Sequence, residues 1–281
     1  MKKYFILLSA AVLLLCSCSC AKKEAEITII TQNVRQSGDS SDPDVLYRSE
    51  GLIALIEKYQ PDVMGVQEYT PGWHLMMEPF YEESSYEIAM QYRSSASQEA
   101  TGIIYNADRL ELLYEEYFWL SDTPHEESKS WDDEFARIVT RCDFKDKKTG
   151  VNFTHLNTHY GLTFKSQENA GAQIYRYIKE NLMGKAVFLT GDINCDVGSG
   201  GYINTTAEDL LVDSFLLADS FGETTGTFNG FTGEAGSAVI DYVFLTPEKI
   251  LPSYYSVLTD QPDGVIISDH FAVMAKCTVK K

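Results

Sequence analysis

Residues 187–198 read VFLTGDINCDVG. An apolar run, Val187 to Thr190, reaches a glycine and then presents Asp192 and Asn194. Side chains two apart on a strand face the same way, so a strand pattern continued past Gly191 makes the carboxylate and the carboxamide neighbours. Such a pair can hold a metal, orient a water or close a turn. Asp192, Asn194 and Asp196 also keep the one, three, five spacing of an EF-hand. Val197 stands at the sixth place, which requires glycine, and Ile203 at the twelfth, which requires a bidentate glutamate, so a calcium loop is rejected.

Working outward, the flanking segments have the pattern of a layered α/β fold. SQENAGAQIYRYIKENL, just upstream, predicts a helix. FARIVTRCDF and VNFTHLNTH predict a hairpin around Lys147 to Gly150, and GIIYNADRLELLYEEYFWL predicts two strands joined at Asn106 to Asp108. Ile27 to Asn33 reads as a strand. DVLYRSEGLIALIEKYQPD has apolar residues at Val45, Leu46, Leu52, Ile53, Leu55 and Ile56, a helical spacing that Pro61 ends, and Asp62 to Gln67 reads as the next strand. Strand, helix, strand opens an α/β layer arrangement. Beyond the Gly- and Ser-rich turn the expectation is a short helix near Thr206 to Leu211, then strands at Ala238 to Leu245, Tyr254 to Leu258 and Phe271 to Val279. No repeat, low-complexity tract or dividing linker interrupts the chain.

The chain has 281 residues, 44% of them hydrophobic, enough for a sizeable core and unlike a disordered segment. Its net charge of −18 argues against tight nonspecific binding to nucleic acid through a broad basic face. At the N-terminus, Lys2 and Lys3 precede an apolar run, Phe5 to Leu15, with the length of a secretory h-region. Leu15-Cys16-Ser17-Cys18 resembles a bacterial lipoprotein box. The expectation is a signal peptide and lipidation region over 1–21, with the lipid on Cys18 or alternatively on Cys20, a short tether over 22–26, and a single domain over 27–281. The protein is then exported and anchored to the membrane of a bacterial cell envelope; simple cleavage and release is the alternative. Cys142, Cys195 and Cys277 match no zinc spacing and are read as structural.

Polar residues punctuate the ends of these apolar runs: Asn33, Glu68, His159, Asp192 with Asn194, Asp241, and Asp269 with His270. Each has an ordinary explanation. Asn33 can cap a loop, Glu68 can sit on the surface or at a helix start, and a single histidine is more often structural than catalytic. Together, at the strand ends of a rigid scaffold, they describe one pocket.

The ordered segments TQNVR, GVQE, NTHY, GDIN, IDYVF and SDH resemble the endonuclease/exonuclease/phosphatase superfamily of metal-dependent phosphoesterases, over about residues 27–279. FWLSDTP and WDDEFARIVT look like a branch of secreted bacterial members. The resemblance implies an α/β (α+β) fold, a four-layer sandwich of two mixed, mostly antiparallel β-sheets flanked by helices. It also implies that Asn33 and Glu68 hold Mg²⁺ or Mn²⁺ with Asp269 beside the metal, and that Asp192 activates the attacking water. Asn194 then orients that group and the phosphate, His159 and His270 contact the phosphate, Asp241 pairs with His270, and Arg137 is a further phosphate contact. One departure stands out: Tyr160-Gly161-Leu162 follows His159 where many relatives place a second Asp-His pair.

The chemistry gives each residue type a reason. Hydroxide attack on a phosphate ester builds negative charge that a divalent ion and cationic histidines stabilise, and magnesium prefers oxygen ligands. Asp192 must be ionised to act as a base, and Asp241 keeps His270 protonated. The function expected is phosphodiester or phosphomonoester hydrolysis on a small-molecule, sugar, inositol or lipid head-group phosphate. Cleavage of DNA or RNA is the alternative within the enzyme class. A catalytically inactive surface binding protein on the same fold, or a glycan binder using Trp73, Trp119 and Trp131, is the alternative outside it.

Overall fold

The structure, a computed structural model, describes residues 24–281. The expected signal peptide and the cysteines Cys18 and Cys20 lie outside the described residues. The first half of the chain runs β1 (Glu24–Asn33), α1 (Val45–Tyr59), β2 (Val63–Gln67), α2 (Pro71–Glu83), β3 (Tyr86–Ala89), β4 (Ile103–Asn106), β5 (Leu110–Trp119), β6 (Ile138–Asp146) and β7 (Asn152–His159). The second half runs α3 (Phe164–Asn181), β8 (Val187–Asp192), α4 (Gly200–Thr205), β9 (Val212–Asp213), α5 (Ser214–Leu217), β10 (Ser220–Phe221), β11 (Asp241–Leu245), β12 (Ile250–Leu258) and β13 (Ala272–Lys280).

Seven strands in the order β10-β12-β13-β1-β2-β4-β3 form one sheet, and six in the order β5-β6-β7-β8-β11-β9 form the other. Parallel pairs join β1 to β2, β7 to β8 and β10 to β12; the rest are antiparallel. Strand alternation splits each sheet's apolar residues between two faces. Ile27, Ile29, Val63 and Ile103 face Phe144, Phe153, Phe188 and Val243 between the sheets. Ile30, Met64 and Ile104 point outward to Leu52, Leu55 and Ile56 of α1 and to Trp73 and Met77 of α2. Across the second sheet, Leu156, Val187 and Leu189 meet Ala170, Ile174 and Ile178 of α3. The result is the expected four-layer sandwich.

Three local expectations are corrected. The tether expected over 22–26 is strand from Glu24 onward: Glu24, Ala25 and Glu26 pair with Lys280, Val279 and Thr278, with Ala25 fully buried and the two glutamates exposed. Charges alternating with a buried alanine are the outer face of a strand rather than a solvated linker. The short helix expected at Thr206 to Leu211 is replaced by α4, which starts at Gly200 with the Ser199 hydroxyl capping Tyr202 N–H, followed by a single 3₁₀ turn at Ala207–Asp209. Helix α2 and strand β3 were not expected. Pro71 at its first turn suits a helix start, whereas Pro79 inside it obscures the apolar spacing of Trp73, Met77 and Phe80.

Candidate active site

The sheet topology gathers the polar strand ends at one edge of the sandwich. β1, β2, β7 and β8 run toward that edge and supply residues at or just past their C-terminal ends: Asn33, Glu68, His159 and Asp192. β11 and β13 run antiparallel to them and supply their N-terminal ends, Asp241 and the Asp269-His270 pair preceding β13. Register places His159 directly beside Asp192, and Asp192 beside Asp241. Asn33, Asp192 and Asp241 are buried almost completely, and His159 and His270 are 7% exposed. Gly191 is required by the close parallel pairing, since a Cβ there would lie 2.3 Å from the Thr158 carbonyl oxygen.

Asn33 bridges the two sheets. Its Nδ2 donates to Glu68 Oε1 and to Asp192 Oδ2, each at 3.0 Å, while its Oδ1 accepts the Arg35 main-chain N–H at 2.8 Å. The expected oxygen ligand is therefore turned away from the cleft, because two carboxylates converge on this residue and only its NH₂ can satisfy both. Glu68 Oε2 accepts the Gln36 N–H at 3.1 Å. Arg35, Glu68 and Asn194 have φ of 56°, 58° and 53°, left-handed conformations that a non-glycine residue adopts at a cost and that gather at functional sites.

Asp192 Oδ1 accepts the Asn194 main-chain N–H at 2.9 Å, and Asn194 Nδ2 donates to the Tyr160 carbonyl at 3.0 Å. β8 ends at Asp192, so the alternation expected past Gly191 stops there. Asn194 orients Asp192 through its backbone, and its carboxamide NH₂ ties the turn to the Tyr160 carbonyl. Burial, and next the charge of Asp241, push the Asp192 carboxyl above its usual range, against the pull of His270 and the hydrogen bonds from Asn33 and Asn194.

His270 Nδ1 and Asp241 Oδ2 are 2.9 Å apart, and His270 Nε2 lies 3.8 Å from Asp192 Oδ2 and 4.0 Å from Asp269 Oδ1. Burial lowers this imidazole's proton affinity, but Asp241 and Asp192 outweigh it and raise the pKa well above the ordinary value, so His270 is the cation expected. His159 is not. Its Nε2 is 3.6 Å from Asp192 Oδ2, yet burial, with Arg137, Arg93 and His270 nearby, holds it well below the ordinary value. It enters the site as a neutral imidazole.

The donor set fits an oxygen-preferring divalent ion. Glu68, Asp192 and Asp269 bring three carboxylates to the same cleft. Burial raises Asp269, His270 pulls it down, and the charge of Glu68 pushes it up again. Asp192, Asp241 and His270 also place three potential ligand atoms within 4.8 Å of one another. Asp241 Oδ2 is already engaged by His270 Nδ1, whereas each Glu68 oxygen accepts one hydrogen bond, from Asn33 and from the Gln36 N–H, and keeps a lone pair for a cation.

Other residues at the site escaped the sequence reading. A buried polar layer joins the sheets beneath it: Asn157 Oδ1 accepts from Gln67 Nε2 at 2.7 Å and from Thr190 Oγ1 at 2.9 Å, and its Nδ2 donates to the Val66 and Gly102 carbonyls, both at 2.8 Å. The available signal was a polar residue at inward positions of β2, β7 and β8. Arg93 comes from the serine-rich loop QYRSSASQE, where nothing marked it, and lines a small recess with Arg137, Glu68 and His159. The tryptophans do not form a binding platform: Trp73 and Trp119 are 0% and 8% exposed, and Trp131 donates to Asp122 Oδ1 at 3.0 Å. Cys142, Cys195 and Cys277 are buried free thiols, as expected of structural residues.

Comparison with known proteins agrees with this geometry. Residues 30–270 match the model of the Endonuclease/Exonuclease/phosphatase family. The structure is similar to that of an endonuclease/exonuclease/phosphatase family protein from Bacteroides thetaiotaomicron, with a TM-score of 0.83 and 26% identity over 92% of this chain and 96% of that one. It is also similar to the mannosyl-6-phosphatase of Bacteroides thetaiotaomicron, with a TM-score of 0.81 and 26% identity over 89% and 99% of the two chains. An uncharacterised protein of Acanthamoeba polyphaga mimivirus is 29% identical over 190 residues, 65% of this chain and 66% of that protein's length. Members of the matched family are metal-dependent phosphoester hydrolases. The chain belongs to the endonuclease/exonuclease/phosphatase family.

Proposed function

We propose that this protein is a divalent-metal-dependent hydrolase acting on a small-molecule, sugar, inositol or lipid head-group phosphate. The observation that carries the reading is the convergence of Glu68, His159, Asp192, Asp241, Asp269 and His270 at one edge, with Asp192 hydrogen-bonded through Asn33 to Glu68. The acidic chain and the 26% identity to a mannosyl-6-phosphatase favour a small ester over a polynucleotide.

Glu68 and Asp269 would hold the cation, Mg²⁺ or Mn²⁺, which when bound neutralises charge on the phosphate. Asp192, fixed through both carboxylate oxygens by Asn33 and Asn194, takes the proton of the attacking water. The water oxygen forms the new bond to phosphorus, and the bond from phosphorus to the leaving oxygen breaks, the departing alkoxide taking up a proton from solvent water. His270, held by Asp241 at Nδ1, presents a charged Nε2–H to the developing oxyanion, and neutral His159 contributes one N–H.

The test is hydrolysis by the full-length protein of nitrophenyl phosphate, bis-nitrophenyl phosphate, sugar and inositol phosphates, sphingomyelin and plasmid DNA, with Mg²⁺, with Mn²⁺ and with EDTA. EDTA-sensitive turnover that falls at least roughly 100-fold in Asp192→Asn and in His270→Ala is expected from general-base and oxyanion contributions of that size. No turnover of any ester with either metal would refute the reading. Export and lipid anchoring, supported by the residue pattern around Cys18, are tested by membrane fractionation: Cys18→Ser should release the protein, and release by Cys20→Ser alone would move the lipid to Cys20.

A further inference from the structure

The edge of the sandwich opposite the cleft holds a hollow of about 300 Å³, rimmed by Lys185, Lys249, Lys280 and Lys281 with Leu113 and Phe153 in its apolar lining. Its place follows from the topology. Lys185 stands just before β8, Lys249 just before β12, and Lys280 and Lys281 close β13, all at strand ends remote from Asp192 and His270. Main-chain bonds hold them together: the Lys280 N–H donates to the Lys249 carbonyl at 2.9 Å, and Thr246 Oγ1 donates to the Lys185 carbonyl at 3.3 Å.

Two observations set this rim apart. In a chain of net charge −18, lysines elsewhere are taken up by carboxylates: Lys58 by Asp260, Lys145 by Glu111, Lys165 by Asp132 and Lys179 by Glu208. At the hollow, among the described residues, Lys185 alone has an ion pair, a long one of 3.8 Å to Asp143 Oδ2, and Arg141 already binds that carboxylate at 3.0 and 2.7 Å. The second observation is where the chain enters. Glu24, the first residue of β1, pairs in register with Lys280, so the segment before it, which carries Cys18, Cys20, Lys22 and Lys23, joins the domain at this rim.

We propose that the lysine-rimmed hollow seats the domain on an anionic membrane surface, with the ammonium groups against lipid head-group phosphates. The lysine stems and Leu113, which is 48% exposed, meet the apolar parts of the lipids. The proposal goes beyond the hydrolytic reading and takes from the section above only the export of the chain to a membrane. The stretch from Cys18 to Glu24 spans at most about 20 Å, so a lipid on Cys18 brings this edge, not the cleft, to the bilayer. β1, ten residues long, sets Asn33 about 30 Å farther out. Charges are screened over about 8 Å at physiological salt, so the acidic groups of the cleft do not oppose the lysines at the surface. Each lysine at an anionic surface is worth about fivefold in partitioning, so the rim orients a tethered domain without replacing its anchor. The cleft then opens to the aqueous side and meets soluble esters rather than head groups of the same bilayer.

The experiment is co-sedimentation with vesicles of phosphatidylcholine alone and of phosphatidylcholine with phosphatidylglycerol. The protein is the mature chain from residue 18 with Cys18→Ser and Cys20→Ser, which carries no lipid and retains every strand and core residue described above. At about 50 mM NaCl its partitioning should be about 100-fold stronger on the anionic vesicles, and about 500 mM NaCl should remove the difference. Adding Lys185→Gln, Lys249→Gln and Lys281→Gln should leave a preference of about fivefold or less. Adding Lys129→Gln, Lys165→Gln and Lys179→Gln instead makes the same change in net charge away from the hollow and should alter binding less than about threefold. If the first triple variant fails to fold, Lys249→Gln and Lys281→Gln singly, each expected to cost about fivefold, decide the matter. Equal binding to the two kinds of vesicle, or equal losses in the two triple variants, would overturn the docking surface. Either result leaves the hydrolase and the lipid anchor standing, since substrate turnover and the Cys18→Ser fractionation test those separately.

Discussion

Gly65→Ala tests whether the packing between the sheets, far from any substrate, sets the geometry of the site. A Cβ on Gly65 would lie 2.2 Å from Thr190 Oγ1, 2.5 Å from Asn157 Oδ1 and 2.7 Å from Asn157 Cγ. Relief requires a shift of about 1 Å in a core packed at crystal density. Asn157 can rotate and lose its bonds to Gln67, Val66 and Gly102, or β2 can part from β7 and β8. Rotation puts four buried hydrogen bonds at stake, the one from Thr190 included, while the Gly102 carbonyl keeps the Val66 N–H; the loss amounts to about 3–5 kcal/mol, and overpacking on the second route costs roughly 1–3 kcal/mol. For a domain of this size that corresponds to a fall of roughly 10 °C in Tm. Gly65 is three residues before Glu68 and Thr190 two before Asp192, so parting the strands separates two carboxylates that Asn33 now bridges at 3.0 Å each. A misplacement of about 1 Å costs on the order of 100-fold in kcat. Calorimetry and steady-state turnover measure the two effects. Removing the nearest clash by Thr190→Ala should make the double variant less damaged than the sum of the singles by about 1 kcal/mol or more. A Tm within about 3 °C of wild type, or strict additivity, would refute the reasoning.

Three further outcomes are expected. Asp241→Asn preserves shape while removing the charge 2.9 Å from His270 Nδ1, so kcat should fall about 100- to 1,000-fold; turnover within about fivefold of wild type would count against an Asp241-supported cation. Glu68→Gln should raise the Mg²⁺ concentration for half-maximal activity by about tenfold or more and abolish the rise in Tm expected for wild type with millimolar Mg²⁺, whereas an unchanged metal titration would exclude Glu68 as a ligand. Burial holds His155 down to about 3, below its unfolded value, so the folded chain binds fewer protons there; the stability it contributes is present above about pH 6.5 and is lost as pH falls toward 3, at roughly 1 kcal/mol per unit. Urea unfolding of wild type and His155→Gln between pH 7 and 4 should therefore diverge in slope, and parallel curves would refute it.

Most of the layer plan was legible because the longer strands and the two long helices carry their apolar residues in recognisable runs. Apolar spacing marks α1 and α3, alternation marks the start of β1, and an unbroken apolar run marks β8. Where two codes overlap the reading failed. Glu24 and Glu26 looked like a tether because their strand partner, β13, lies more than 250 residues away in the chain, and Pro79 hid α2. Asn194 is a further case: its positive φ depends on the turn that Tyr160 and Gln167 hold, which no local spacing encodes.

Taken alone, the amino-acid sequence determined which residue types stand at the strand ends, and in what order: Asn33, Glu68, His159, Asp192, Asp241, Asp269 and His270. That much is local, since a polar residue closing an apolar run is visible without knowing its neighbours. Only the tertiary structure decided what each one does. It turned Asn33's NH₂ rather than its oxygen to the carboxylates, left His159 neutral and His270 charged, and brought Arg93 from a serine-rich loop to stand beside Arg137. Protonation and hydrogen-bond direction depend on burial and on charges a few ångströms away, and those neighbours are assembled from distant strands only when the two sheets close on each other.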